Sequence, residues 1–505
     1  MRAAGRALAV AASLVPGLAL GAGFGPETNL SVSPVDSETG LSHRALAWDR
    51  SGGLHAAWCE RDSPGSQYRI WTSRFTGTWS APVLTVDYLA SDPGDLGDDL
   101  GAKFPALAVT ADGEVHVFWH DYRIGGIDNA EIFTKTRSVN GWDPSQAADV
   151  RLTTTAHPES NGDNGYVPVP VATATGDLHV AWYDFRYDGQ NAEILAKARP
   201  AGGTFDLTPG DGADDRVTND AAHSELVDLA ADDLGHVYAV WRHVDGGATI
   251  RFARRDAGTG AWSAPAVVST QATVAGAPAI AVDGGGTVHV VWPDGRDGGR
   301  ALFTRTRTAG GVWSAESRLT RPSDGADEPA LTADPATGSL HLVWSDGRVS
   351  LLNREVFHRE KTSAAAWDTT YAADDRISNA SGASTRPSVA VSGGQVAVLW
   401  KDSRTGQNDI WVRLRPVEAV DVPAPNAPAR LAVSPNPARG PVRVLVPTGD
   451  AVRVFDVSGR TIARVPIAGQ IGVWDLRDGS ARRVPTGVYF LRTADGTSAR
   501  VTVLR

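Results

Sequence analysis

Five Asp-x-Arg pairs recur along the chain: Asp121/Arg123, Asp184/Arg186, Asp294/Arg296, Asp346/Arg348 and Asp402/Arg404. A carboxylate two residues from a guanidinium can serve acid–base chemistry. It can equally form an ion pair in which the planar guanidinium fork fixes a turn. Recurrence favours the second role, because a group present in five places does the same job in each. A histidine recurs as well, three residues before a tryptophan, at His55, His116, His179, His289 and His341. No two of these fall at ligand spacing, so they read as scaffold rather than as a metal site.

Candidate functional residues lie where the pattern breaks. The first copy carries Glu60-x-Asp62 in place of Asp-x-Arg, and the fourth carries His243-x-Asp245 after Arg242. A carboxylate pair and a His–Asp pair on a turn could bind a sugar or a cation; the competing reading is drift in an imperfect repeat. Asp92, Asp95, Asp98 and Asp99 form an acidic loop that could hold Ca²⁺ through oxygen ligands. Its spacing fits no defined calcium loop, which favours a solvated surface loop.

These residues are positioned by a repeat. A tryptophan ends one strand of each copy, at Trp58, Trp119, Trp182, Trp241, Trp292, Trp344 and Trp400, with spacings of 61, 63, 59, 51, 52 and 56 residues. The second copy reads as three short strands and two turns. Val115, Val117 and Trp119 alternate along one strand, after an Asp112-Gly113 turn. Seven self-similar all-β units of this length predict a seven-bladed β-propeller. A further short strand follows six of the copies, as at Arg151-Leu152-Thr153 and Arg376-Ile377-Ser378, but not the seventh. The segment of about 29–33, with Leu30 to Ser33 at its heart, is expected to supply that strand and so close the ring, hiding the edges an open ring would expose. The long connections Ser91 to Asp99, His157 to Tyr166 and Thr208 to Asp215 are the variable loops on which binding usually lives.

With 48 basic against 58 acidic residues the net charge is -10, which carries no electrostatic footprint for nucleic acid. Residues 1–22 read as a secretory signal: Arg2 and Arg6, an apolar run from Ala7 to Leu20, then small residues. No membrane span is expected once it is removed. The lone Cys59 excludes an internal disulfide. The propeller is expected over 23–416, a Pro-rich linker over 417–430, and a small Ig-like β-sandwich over 431–505.

The last module carries Ser434-Pro435-Asn436-Pro437, Val454-Phe455-Asp456-Val457-Ser458-Gly459-Arg460, Trp474-Asp475 and Pro485-Thr486-Gly487-Val488-Tyr489-Phe490. It resembles the carboxy-terminal sorting domain of type IX secretion substrates and the related flagellar-hook-cap-type Ig-like domain. The resemblance implies recognition by a secretion machinery, export to the medium or the outer cell surface, and no active site of its own. The propeller is more loosely similar to the sialidase-type (BNR-repeat) propellers. Asp256-Ala257-Gly258-Thr259-Gly260-Ala261-Trp262 stands where that family carries its Asp-box, one residue too long. The family's Arg-Ile-Pro motif is absent, and seven repeats depart from the usual six, so no catalytic residue carries over. Two readings stand: a secreted or cell-surface, non-catalytic scaffold for glycans or surface proteins, without a cofactor, and a sialidase-like glycoside hydrolase. The second needs two carboxylates at a fixed separation across the channel mouth.

Overall fold

The computed structural model describes residues 23–504 except 32–35, 41–42, 62–65, 87–100, 124–129, 139, 154–166, 188–190, 209–213, 272–274, 351–352, 364, 416–430, 435, 447–450, 468–470 and 494–497. The leader, Asp62, the acidic loop with Asp92, Asp95, Asp98 and Asp99, and the linker therefore lie outside the described residues.

The chain divides into two compact units, Met1–Val417 and Glu418–Arg505. In the first, the described residues of the repeats form seven antiparallel sheets. The second sheet is typical. Its innermost strand is Ala102–Val109, followed by Val115–Asp121, Glu131–Thr136 and the short outer strand Val150–Arg151. Every residue of Val115–Asp121 is buried, because sheets pack on both of its faces. The seven repeat tryptophans sit in these second strands and are fully buried; truncating one to alanine should cost about 3–5 kcal/mol.

The ring closes on itself. The innermost strand of each blade touches those of its neighbours, and Ser384–Ser392 of the last blade touches Leu46–Trp48 of the first. The seventh blade is completed from the front of the chain, where Thr28–Asn29 pairs with Asp409–Arg415, Thr28 opposite Val412 and Asn29 opposite Trp411. Pairing starts slightly earlier than expected and runs on through Leu30, whose amide donates to Ile410 O at 2.8 Å. Ser31 occupies the place of a serine or threonine in the other outer strands. Its hydroxyl accepts the Ile410 amide at 2.8 Å, as Thr153 accepts Ile132 at 2.9 Å and Ser378 accepts Val356 at 2.8 Å. Val32 and Ser33 lie outside the described residues.

Close packing between blades leaves its mark on one glycine. Gly101 has φ +120°, and a Cβ there would stand 2.5 Å from the Tyr68 carbonyl oxygen of the preceding blade.

The second unit is a sandwich of a three-stranded and a four-stranded sheet. Val442, Val444, Val452, Val454, Trp474 and Leu491 fill the space between them. Residues that carry the family resemblance make its turns and edges. Asp456 accepts the Ser458 and Arg460 amides at 3.0 Å each, and Asn436 accepts the Thr502 amide at 2.9 Å.

Candidate functional site

The Asp-x-Arg pairs are clamps. In the second blade Trp119 donates its indole N–H to Asp121 Oδ2 at 2.9 Å, and the Arg123 amide donates to Asp121 Oδ1 at 2.9 Å. The Arg123 guanidinium then reaches Asp149 at 2.6 Å, beside the outer strand, and lies 4.9 Å from the Phe133 ring centre. The other blades repeat this with Arg186–Asp214 at 2.7 Å, Arg296–Glu316 at 2.6 Å and Arg348–Asp374 at 2.6 Å. Burial disfavours the Arg186 charge, yet Asp184 and Asp214 hold its pKa above the usual range. Each clamp ties the second strand to the fourth and leaves its carboxylate committed.

The repeated histidines pin the first hairpin of a blade. His55 meets Asp49 at 3.0 Å and His289 meets Asp283 at 2.9 Å. Among the described residues no cluster of three or more potential ligands could hold a metal ion.

Two of the pattern-breaking candidates hold scaffold positions. Glu60 stands in the place of the clamp aspartate, 8% exposed, accepting the Trp58 indole at 2.9 Å and the Ser37 hydroxyl at 3.1 Å. His243 holds the same place in the fourth blade, where Nδ1 meets the Ser224 hydroxyl at 3.2 Å. Burial, then Arg251, pushes the His243 pKa down. His243 does not bond Trp241, whose buried indole N–H has no partner among the described residues. Asp245 is exposed in a turn, its amide donating to Gly247 O at 3.0 Å. Glu60 and the Arg242–Asp245 stretch belong to different sheets.

Arg242 points to a different place. It pairs across the sheet with Glu225, as His120 pairs with Lys103, Ser345 with Asp327 and Lys401 with Thr385. All lie where innermost strands begin and second strands end, so they ring one mouth of the channel. The backbone is strained at this ring. His43, Phe104, Leu226, Glu328 and Arg386 take φ between 50° and 55°, beside register shifts in four of the innermost strands. Each left-handed non-glycine residue costs about 1 kcal/mol, and bulges of this kind re-aim side chains at functional sites.

Arg44, from the first blade, pairs with Asp228 of the fourth at 2.8 Å and floors the mouth. Asp228 also accepts the Ile280 amide of the fifth blade at 2.9 Å. Below the pair lies a cavity of about 230 Å³ walled by innermost-strand residues such as Leu46, Val109, Pro170 and Val391.

Two chemistries share the rim. Over the last blades, Arg300 pairs with Asp327, and Arg386 and Lys401 share Glu38. Arg354 holds the Ser345 carbonyl oxygen at 2.8 Å and its hydroxyl at 3.0 Å, and meets no carboxylate among the described residues. Glu328 accepts the Ser345 hydroxyl at 2.8 Å and the Arg386 amide at 2.9 Å. Over the first blades, Tyr68 lies between Arg61 at 4.4 Å and Lys103 at 4.6 Å, Phe104 meets His120 edge-on at 4.7 Å, and His120 meets Tyr122 at 5.2 Å. In the fourth blade, His223 Nδ1 accepts the Ala192 amide at 3.0 Å, so Nε2 carries the proton and donates to Glu225 at 3.1 Å. Burial acts to raise the Glu225 pKa, but His223 and then Arg242 hold it below the usual carboxylate range.

Of the sequence candidates among the described residues, Arg242 lies at this rim; the other rim residues did not stand out in the sequence. Arg300 and Arg354 each stand just before a third strand, and Lys103, Glu225, Asp327 and Arg386 at the start of an innermost strand, places whose chemistry changes from blade to blade while the tryptophans do not.

No family model matches the chain, and no curated protein does. Solved structures do. An ulvan lyase bound to -[GlcA(1-4)Rha3S]- is 12% identical over 78% of this chain and 95% of its own, with a TM-score of 0.49. The leech intramolecular trans-sialidase is 12% identical over 75% of this chain and 67% of its own, with a TM-score of 0.40. PorZ, a surface component of the type-IX secretion system of Porphyromonas gingivalis, is 13% identical over 93% of this chain and 60% of its own, with a TM-score of 0.39. Each of these TM-scores is below 0.5; the propeller architecture of this all-β chain stands on its own strand pairing and the closed circuit of its innermost strands.

Proposed function

We propose that the protein is a secreted or cell-surface propeller that binds acidic glycans at the channel mouth without transforming them. The observation that carries this reading is the convergence of Arg300, Arg354 and Arg386 from three successive blades on one rim, with Arg354 meeting no carboxylate among the described residues. A guanidinium fork recognises a carboxylate or sulfate bidentately. The aromatic rings on the other half of the rim suit the apolar faces of sugars. The chain as a whole is acidic, so the rim guanidinium groups select their ligand by position rather than by bulk attraction.

The reading is non-catalytic because the rim carboxylates already hold partners: Glu225 its histidine and arginine, Asp327 its arginine, and Glu328 a hydroxyl and an amide. The C-terminal sandwich is read as the sorting module, and the leader as the export signal. A glycan array with residues 23–415 should retain uronic-acid or sulfated oligosaccharides, with Arg354→Ala weakening binding about tenfold. Retention of neutral glycans alone would overturn the reading. Turnover of a fluorogenic glycoside that Glu225→Gln abolishes would replace it with a glycosidase.

A further inference from the structure

A groove of about 350 Å³ opens between the first and second blades, at the end of the ring opposite the mouth. Its walls are the ends of two third strands and the turns that follow them. We propose that this groove is a second, separate subsite for an acidic sugar, with the Trp142 ring as platform and Arg137 as the anion partner.

The internal repeat makes the case. The equivalent groove between the fourth and fifth blades measures about 320 Å³ and contains Phe252, Arg254, Trp262 and Arg307. There the rings and Arg254 are engaged, and Arg307 lies on a ring. Phe252 covers Trp313 edge-on at 5.3 Å and carries the Arg307 guanidinium at 5.3 Å. Trp262 donates to Asp215 at 3.2 Å, and Arg254 pairs with Asp256 at 2.9 Å.

Between the first two blades Thr72 stands where Phe252 stands, each paired with the residue before the repeat tryptophan, Ala57 and Val240. Thr72 is too short to cover the ring beside it, and its hydroxyl is held by Thr85 at 2.8 Å. Trp142, the counterpart of Trp313, packs one face on the core and turns toward the groove. Its indole N–H has no hydrogen-bond partner among the described residues. Neither has the side chain of Arg137, the counterpart of Arg307, nor that of the exposed Asn140. Arg74 is a fixed wall, held by Asp49 at 2.6 Å and 3.0 Å and by Ser51 at 2.8 Å. Its charge is balanced by Asp49, whereas Arg137 meets no carboxylate among the described residues. A flat apolar ring beside one uncompensated guanidinium, an amide and an indole donor is what an acidic pyranose requires: a face to stack on, a fork for its carboxylate or sulfate, and donors for its hydroxyls.

Affinity electrophoresis of the full chain tests this, with polygalacturonate, dextran sulfate or neutral dextran in the gel. The first two separate a carboxylate from a sulfate ligand. Retardation by at least one acidic polymer is expected, with Kd rising about tenfold in Arg137→Ala and in Thr72→Phe, which fills the groove as Phe252 fills its own. Trp262→Ala, in the occupied groove, should leave Kd unchanged. Repeating the series in an Arg386→Ala background separates the groove from the mouth. Equal retardation by dextran, no retardation by either acidic polymer, or an unchanged Kd in a folded Arg137→Ala protein would each overturn the proposal.

Discussion

Arg404 of the last blade pairs with Glu27, 377 residues away in sequence. In four other blades the same arginine reaches an acidic residue just before, or at the start of, the outer strand of its own repeat; here that acid comes from the front of the chain. Burial opposes the Arg404 charge, while Asp402 and then Glu27 hold its pKa above the usual range. Phe24 and Gly25 complete the seam, their carbonyl oxygens accepting from Arg413 at 3.0 Å and 2.8 Å. Glu27→Ala should therefore destabilise the propeller by about 1–3 kcal/mol, the cost of leaving a partly buried arginine one partner short. Deleting residues 24–31 should lower the melting temperature far more, because it uncovers a whole strand edge. An unchanged thermal transition in the deletion would mean that the ring is not held by this strand.

Much of this was legible in the sequence. The tryptophan period marks the second strand of each of the seven sheets seen among the described residues, and the missing outer strand of the seventh copy pointed to the front of the chain. Both follow from local pattern. The clamp role of Asp-x-Arg was legible because it recurs, but its second acid was not, since Asp149 or Glu27 is meaningful only after folding places it beside Arg123 or Arg404. The rim was the least legible part. Arg300 and Arg354 share one place, immediately before a third strand, but Arg386 lies in an innermost strand, and only folding brings all three to one mouth. Of the odd-one-out residues, Arg242 lies at the rim, whereas Glu60 keeps the clamp place, because a longer carboxylate can still accept the same indole proton.

The buried histidines predict an acid-sensitive fold. Burial, first, drives the pKa of His116 and His179 down to about 4 and that of His341 to about 3. Their unfolded values are about 6.5. The unfolded chain thus binds the extra protons, so stability is full above that pH and falls as pH drops toward the folded values. At pH 5 each such histidine should cost about 2 kcal/mol relative to pH 7. Carboxylates with depressed pKa values, such as Asp283, lose their contribution only nearer pH 4, which keeps the window from 6.5 to 5 for histidine. Urea midpoints across that window should decline, and His179→Gln should flatten the slope. A midpoint constant from pH 7 to 5 would contradict the neutral, buried state of these rings.

Trp241 offers a stabilising substitution. Six of the repeat tryptophans donate to an acid two residues on, as Trp400 does to Asp402 at 3.0 Å. In the fourth blade His243 occupies that position and bonds Ser224 instead, leaving a buried donor unpaired. An unsatisfied buried N–H costs about 1–3 kcal/mol. Aspartate would not repair it well, because no arginine stands two residues further on to balance the charge; Asp245 is there instead. Asparagine supplies a neutral acceptor of the same reach. His243→Asn should raise stability by about 1 kcal/mol, read as a higher denaturant midpoint with an unchanged slope. It should also leave glycan binding at the rim intact, because the Arg242 guanidinium stays on Glu225. A lower midpoint would show that the His243–Ser224 bond is worth more than the indole bond it displaced.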